Sequence, residues 1–243
     1  MTTRLAMWSG PRNISTAMMR SWGARPDTIV CDEPLYAHYL KVTGLPHPGA
    51  AETLAAHDTD WRKVVAWLTG PLPDGKAVFY QKHMTHHMLS NIELDWVHAL
   101  TNCFLIREPR EMITSLREFI PKPRIEDTGL PQQVRIFEMV GAATGKVPPV
   151  LDARDILLNP RAVLQKFCDR IGLPFHDEML GWPAGTRESD GVWAKHWYAK
   201  VERTTTFGTY RRKIDAVPDE LEGLLADCQD LYHQLYPHRI TAG

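Results

Sequence analysis

The chain has 243 residues, 44% of them hydrophobic and 23% charged, a composition that fits a globular domain and excludes a disordered or fibrous protein. A net charge of -1 gives no global attraction to nucleic acid or to an acidic membrane surface, so any cationic site has to be local. No 18-residue apolar run and no basic-then-apolar leader occurs, and the expected compartment is the cytoplasm, with neither a membrane nor a nucleic acid as partner.

In chain order, an apolar run at 4–8 reads as a strand, and WSGPRN turns it into a helix at 15–22. A strand at 28–31 and a helix at 33–42 follow, then a Gly-, Pro- and Ala-rich loop at 43–60. Next come a helix at 61–68, a strand at 77–81, a helix at 93–99, a strand at 103–106 and helices at 109–119 and 130–143. The strand at 149–152 leads to a helix at 160–171, which has Asn159 to cap it, Pro160 at its first position and Gly172 beyond its end. An irregular stretch at 181–207 carries Trp182, Trp193, Trp197 and Tyr198; a helix at 218–235 closes the series. Such alternation predicts a parallel sheet with helices on both faces, a three-layer α/β sandwich in one domain over residues 1–243. Cys31, Cys103, Cys168 and Cys228 have no CxxC spacing and read as buried free thiols.

Two motifs carry chemistry. In the first, WSGPRNISTAMM, Gly10 and Pro11 suit a tight turn, after which the N–H groups of residues 13–16 point out of a new helix N-terminus and favour an anion. Ser15 and Thr16 add hydroxyls, and Arg12 adds a fork matched to phosphate or sulfate oxygens. The other reading of the same stretch is a helix start with Arg12 solvated. A triphosphate loop would place Lys before its Ser/Thr, whereas Ile14 and Asn13 precede Ser15, so a metal-free site is the simpler reading. In the second motif, FLIREPREMITSLREF, Arg107 ends a strand and Ser115 lies eight residues on, two turns into a helix.

Together these motifs resemble the sulfotransferases that use 3′-phosphoadenosine 5′-phosphosulfate (PAPS). Pro11 to Thr16 is similar to that family's phosphosulfate loop, and Arg107 with Ser115 to its 3′-phosphate pair. LLNPRAVLQKFCDRIGLPF at 157–175 looks like its Asp/Asn-Pro helix, and FGTYRRKID at 207–215 like its C-terminal Gly-x-Trp-Arg/Lys segment. The resemblance implies a P-loop nucleotide-hydrolase-like fold, PAPS as co-substrate, 3′,5′-ADP as product and no metal. It assigns Arg12, Asn13, Ile14, Ser15, Thr16, Arg107, Ser115, Arg203, Tyr210 and Arg211 to the nucleotide. The stretch at 181–217 would cover substrate or nucleotide.

The chain departs from the family pattern at three places. Ile14 replaces the loop glycine, and Ala153 stands where the cytosolic branch has an adenine-stacking Tyr, leaving that role to Tyr210 or a Trp of the long loop. Of a C-terminal Arg-Lys-Gly only Arg203 is kept.

The implied reaction moves a sulfuryl group to a hydroxyl or amine, with Arg12 stabilising the leaving oxygen and a base taking the acceptor proton. Two residues compete for the base. Glu33, in CDEPLYAHYL, resembles the Glu-Pro of bacterial trehalose-type enzymes; His83, in FYQKHM, resembles the Lys-x-His of cytosolic ones. Glu33 is preferred for its flanking Pro34. His83, His86 and His87 also spell a weak metal signature without the Glu of HExxH. The expected acceptor is a small molecule or sugar, held between residues 33–45, 85–91, 120–129 and the aromatic loop. A P-loop kinase or NTPase, and a non-catalytic nucleotide-binding protein of the same fold, are the alternatives. Oligomeric state has no signal in the chain.

Overall fold

The computed structural model of the protein describes residues 2–72, 75–213 and 216–243. Five parallel strands form one sheet among these residues: β1 (Thr3–Ser9), β2 (Thr28–Asp32), β3 (Val78–Met84), β4 (Thr101–Ile106) and β5 (Val150–Asp152), in the order β2-β3-β1-β4-β5. The helices are α1 (Ser15–Gly23), α2 (Tyr36–Thr43), α3 (Ala50–Ala56), α4 (Trp61–Thr69), α5 (Pro109–Leu116), α6 (Ile125–Thr128), α7 (Leu130–Thr144), α8 (Ala153–Leu158), α9 (Pro160–Arg170), α10 (Ala194–Trp197) and α11 (Glu222–Leu235).

The strands are apolar on both sides because helices cover both sides. Leu5, Met7, Val78, Tyr80, Cys103 and Leu105 pack with α1, α2, α8 and α9; Ala6, Trp8, Phe79, Phe104 and Ile106 pack with α4, α7 and α11. A third cluster joins α5 to α11. All four cysteines are buried thiols, and none is in a disulfide among the described residues.

Helix starts follow local chemistry. Asn159 accepts from the Ala162 N–H at 3.2 Å with Pro160 behind it, as the sequence predicts. Glu108 caps α5 and Asp152 caps α8 in the same way.

Several elements differ from the sequence expectation. β3 runs to Met84, three residues past the predicted end, so His83 lies inside a strand rather than after it. α2 begins at Tyr36, which leaves Glu33 in a turn rather than in a first helical turn. The predicted helix at 93–99 is a 3₁₀ turn, Asp95–Ala99. Both predicted loops hold short helices, α3 and α10. The last two residues of the 207–215 segment lie outside the described residues.

Because every strand is parallel, all five carboxyl ends lie along one edge, where this class of sheet places its ligands. Ser9, Asp32, Met84, Ile106 and Asp152 mark that edge.

Candidate active site

The turn after β1 occupies the middle of the edge. Gly10 has no alternative there: a Cβ would stand 2.4 Å from the Thr128 carbonyl oxygen. Arg12 and Ile14 both take positive φ, 63° and 58°. Ile14 thus keeps the left-handed backbone that glycine would adopt freely, at a cost in strain, since branching at Cβ disfavours that region. The first N–H groups of α1 lack intrahelical partners by geometry, and among the described residues no side chain caps them and no acid stands in the first turn. Asn13 is buried and ties the turn to β4 by donating to the Leu105 carbonyl at 3.3 Å. Ser15 is buried and Thr16 half-buried at the helix start.

On the β4 side the two sequence motifs meet. Arg12 Nε donates to Ser115 Oγ at 3.0 Å, and Arg107 Nη1 donates to the Arg12 carbonyl at 2.8 Å. Glu111 orients Arg107 through two bonds of 3.1 Å, and Tyr210 O–H donates to Glu111 Oε1 at 2.7 Å. The Arg12 guanidinium also lies over the Phe119 ring, 4.7 Å from its centre. Burial, with a smaller contribution from Arg107, weakens its hold on its proton, while Glu118 opposes both. Arg12 therefore reaches the Ser115 side of the turn, where the sequence reading put only the 3′-phosphate pair. Arg203 and Arg211 are exposed, and their side chains make no hydrogen bond among the described residues.

On the other side, two strands along, a different cluster fills the edge. Lys82 Nζ donates to Asp32 Oδ1 at 2.8 Å, Glu33 Oε1 at 2.6 Å and Tyr198 Oη at 2.6 Å. Tyr198 donates to Asp32, and the Gly191 N–H reaches Asp32 Oδ2 at 3.3 Å. Glu33, like Arg12 and Ile14, has a positive φ, of 42°. Burial raises its proton affinity, with Asp32 adding to the rise and Lys82 opposing it. The Lys82 side chain keeps its charge despite burial because two carboxylates face it. His87 Nε2 stands 4.0 Å from Glu33 Oε2. Its ring stacks on Tyr36, 4.9 Å between centres, and burial keeps it neutral.

His83 goes elsewhere. Neighbouring residues of a strand point to opposite faces, so Lys82 and His83 cannot share a side. His83 stacks on Trp8 at 4.3 Å, bonds Gln81 Oε1 at 3.1 Å and is held neutral by burial, down to about 3. The three histidines do not share a helix face, since His83 is in β3 and His86 and His87 are in a 3₁₀ turn. No group of three or more metal-ligating side chains occurs among the described residues.

The 181–207 stretch is tied down beside the Lys82 cluster through Gly191 and Tyr198. Arg20 and Asp190 add a buried two-pronged ion pair, 2.5 and 2.7 Å. Sequence reading overlooked Asp32, Lys82, Glu111, Phe119 and Tyr198. The signal for one pair was present: Asp32 and Glu33 stand together at a strand end.

Residues 3–236 match the family described as "Sulfotransferase domain". Two proteins of Arabidopsis thaliana, branched-chain-amino-acid aminotransferase-like proteins 2 and 1, are 32% and 33% identical over 231 residues, 95% of this chain. The chain spans 41% of their length. Among solved structures, the sulfotransferase domain from the curacin biosynthetic pathway superposes with a TM-score of 0.55 at 14% identity, covering 97% of this chain and 98% of that one. A sulfotransferase from Alicyclobacillus acidocaldarius gives 0.52 at 11% identity, covering 98% and 95%. At these identities the likeness establishes the fold, the P-loop-like α/β architecture. No helix among the described residues is long and apolar enough to cross a membrane.

Proposed function

The chain belongs to the sulfotransferase-domain family, and from that premise we propose that it moves a sulfuryl group from PAPS to a hydroxyl or amine of a small-molecule or sugar acceptor. One observation carries the reading: Arg12, Arg107 and Ser115 converge beside the unpaired N–H groups of α1, with a buried carboxylate, Glu33, across the same edge.

The 5′-phosphosulfate would sit on the N-terminus of α1, held by the N–H groups of residues 13–16 with the Ser15 and Thr16 hydroxyls. Arg107 and Ser115 would take the 3′-phosphate. Glu111 fixes the plane of the Arg107 fork, and Tyr210, bonded to Glu111, supplies a ring at the nucleotide side. Arg12 stands between the two phosphate positions, bonded to Ser115 now and free to turn one guanidinium face to the bridging oxygen.

Glu33 is the better base of the two that the sequence offered. His83 is bonded and stacked on the opposite face of the sheet. β2 lies two strand spacings from β1, roughly 10 Å, which leaves room for a sulfuryl group and an acceptor oxygen between the helix N-terminus and the carboxylate. Glu33 takes the acceptor proton as the acceptor oxygen bonds to sulfur. The bond from sulfur to the bridging oxygen breaks, its electron pair stays on that oxygen, and 3′,5′-ADP leaves with the charge held by Arg12 and the α1 N–H groups. The acceptor pocket would be walled by Tyr36, Tyr39, His47, His87 and Trp197, whose rings pack on one another, stacked or edge-on, and suit a sugar or an aromatic ring.

A kinase reading is weaker because no Lys precedes Ser15 and Ile14 fills that place. The aminotransferase label of the plant relatives belongs to proteins of which this chain spans 41%. The reading is tested by incubating the protein with PAPS labelled in its sulfuryl group, in chelator, against a panel of hydroxyl and amine acceptors. Labelled product that disappears in Glu33→Gln supports it. No product from any acceptor, with no release of 3′,5′-ADP, opposes it.

A further inference from the structure

The Asp32, Glu33, Lys82 and Tyr198 cluster assigns its own roles when its hydrogen bonds are counted. An ammonium has three donors, and Lys82 spends all three, on Asp32, Glu33 and Tyr198. Asp32 accepts from Lys82, from Tyr198 and from the Gly191 N–H, and its side chain is 1% exposed. It has no free edge with which to take a proton. Glu33 is 14% exposed and gives only Oε1 to Lys82, so Oε2 remains available on the His87 side.

The members come from three separated segments. Asp32 ends β2 and Glu33 follows it, Lys82 lies in β3, and Tyr198 arrives with the 190–198 stretch that Arg20 and Asp190 clamp. A buried carboxylate pair with no cation would take up a proton and stop acting as a base at neutral pH. Tyr198 accepts from Lys82 and donates its O–H to Asp32, so it closes the ring and fixes the ammonium between the two acids.

We propose that Lys82 and Tyr198 are positioning residues for Glu33: Lys82 keeps the carboxylate charged and turned with Oε2 free, and Tyr198 locks Lys82 to Asp32. The proposal rests on the assignment of Glu33 as base. It makes the state of the base depend on the docking of residues 190–198, the wall of the acceptor pocket. The ionisable groups facing Glu33 are Asp32 on its own strand end, Lys82 from β3, Tyr198 from the clamped stretch, His87 from the 3₁₀ turn and Tyr36 from α2. Burial holds His87 neutral and Tyr36 protonated, so neither replaces the Lys82 charge.

The test uses the 243-residue chain carrying ¹³C at its glutamate carboxyls, with the Glu33 signal assigned by its loss in Glu33→Gln. Its titration is followed by NMR in the wild type, Lys82→Met and Tyr198→Phe. The midpoint should rise by about one pH unit or more in Lys82→Met, the usual effect of a removed neighbouring cation, and by less in Tyr198→Phe. Affinity for 3′,5′-ADP, measured alongside, should stay within about twofold of wild type in Tyr198→Phe, because that change leaves no charge unpaired. A Glu33 midpoint unmoved in Tyr198→Phe overturns the Tyr198 role, and one also unmoved in Lys82→Met overturns the whole proposal. Should Lys82→Met not fold, Tyr198→Phe decides alone, with Lys82→Arg expected to hold the midpoint near wild type. Failure of the underlying base assignment shows differently: release of 3′,5′-ADP from PAPS with water as acceptor would be undiminished in Glu33→Gln.

Discussion

The two flanks of the carboxyl edge are built from opposite materials. On the β4 flank Arg107 bonds the Arg12 carbonyl, Arg12 bonds the Ser115 hydroxyl and Glu111 orients Arg107, with both arginines half-buried. On the β2 and β3 flank two acids, one lysine and one tyrosine form a sealed network. The first has donors left to give and fits a polyanion that comes and goes. The second has satisfied nearly every donor and acceptor, and fits a fixed group that must hold one protonation state. A transfer site needs both, an adaptable cationic cradle and a preset base.

Removing a charge on each flank should therefore fail in different ways. Glu33→Gln should cut turnover by about 10²–10⁴-fold, the range of a lost general base, with 3′,5′-ADP binding intact. Lys82→Met strikes the sealed flank and should also cost about 3–5 kcal/mol of stability, since it strands two buried acids, which a thermal melt would register. Arg107→Ala strikes the open flank. It should weaken 3′,5′-ADP about 10- to 100-fold by calorimetry, for loss of about 1.5–3 kcal/mol of charge-assisted bonding, and leave the melting temperature little changed. Equal losses of stability in the two variants would erase the distinction.

Acid sharpens the contrast further. Burial holds His83 and His86 neutral down to about 3, against an ordinary value of 6.5. The unfolded chain takes up those protons near 6.5 and the folded chain does not, so stability is full above that pH and falls as pH drops toward 3. The slope approaches roughly 1.4 kcal/mol per pH unit for each histidine. Melts between pH 7.5 and 5 should show it, and His83→Gln should flatten it. That same variant should have the smallest effect on turnover, within a few-fold, because His83 faces Trp8 rather than the edge.

Legibility follows the same division. The flank proposed for the nucleotide is written in short stretches, 11–16 and 107–115, where strand, turn and helix fix which side chains meet. Even there, the contact between Arg12 and Ser115 and the orienting Glu111 needed coordinates, because rotamers are not set by spacing. The five strands were readable from their apolar runs, although β3 is longer than its run suggests: polar Gln81, Lys82 and His83 are buried in it against Leu68, Asp32 and Trp8 from other elements. The flank proposed to hold the base joins residues 32, 33, 82, 191 and 198, which no local pattern links. Glu33 was visible from its strand-end setting with Pro34, whereas Tyr198 was only one of several aromatics in an irregular stretch. The proposed preference for Glu33 over His83 draws on the strand's two-residue period, and it needed the true end of β3.

The most direct test of the account compares 3′,5′-ADP with 5′-AMP by calorimetry in chelator. The account predicts clear binding of the bisphosphate, a marked loss on removing its 3′-phosphate, and collapse of that difference in Arg107→Ala. No binding of 3′,5′-ADP, or a preference for ATP with magnesium, would contradict it.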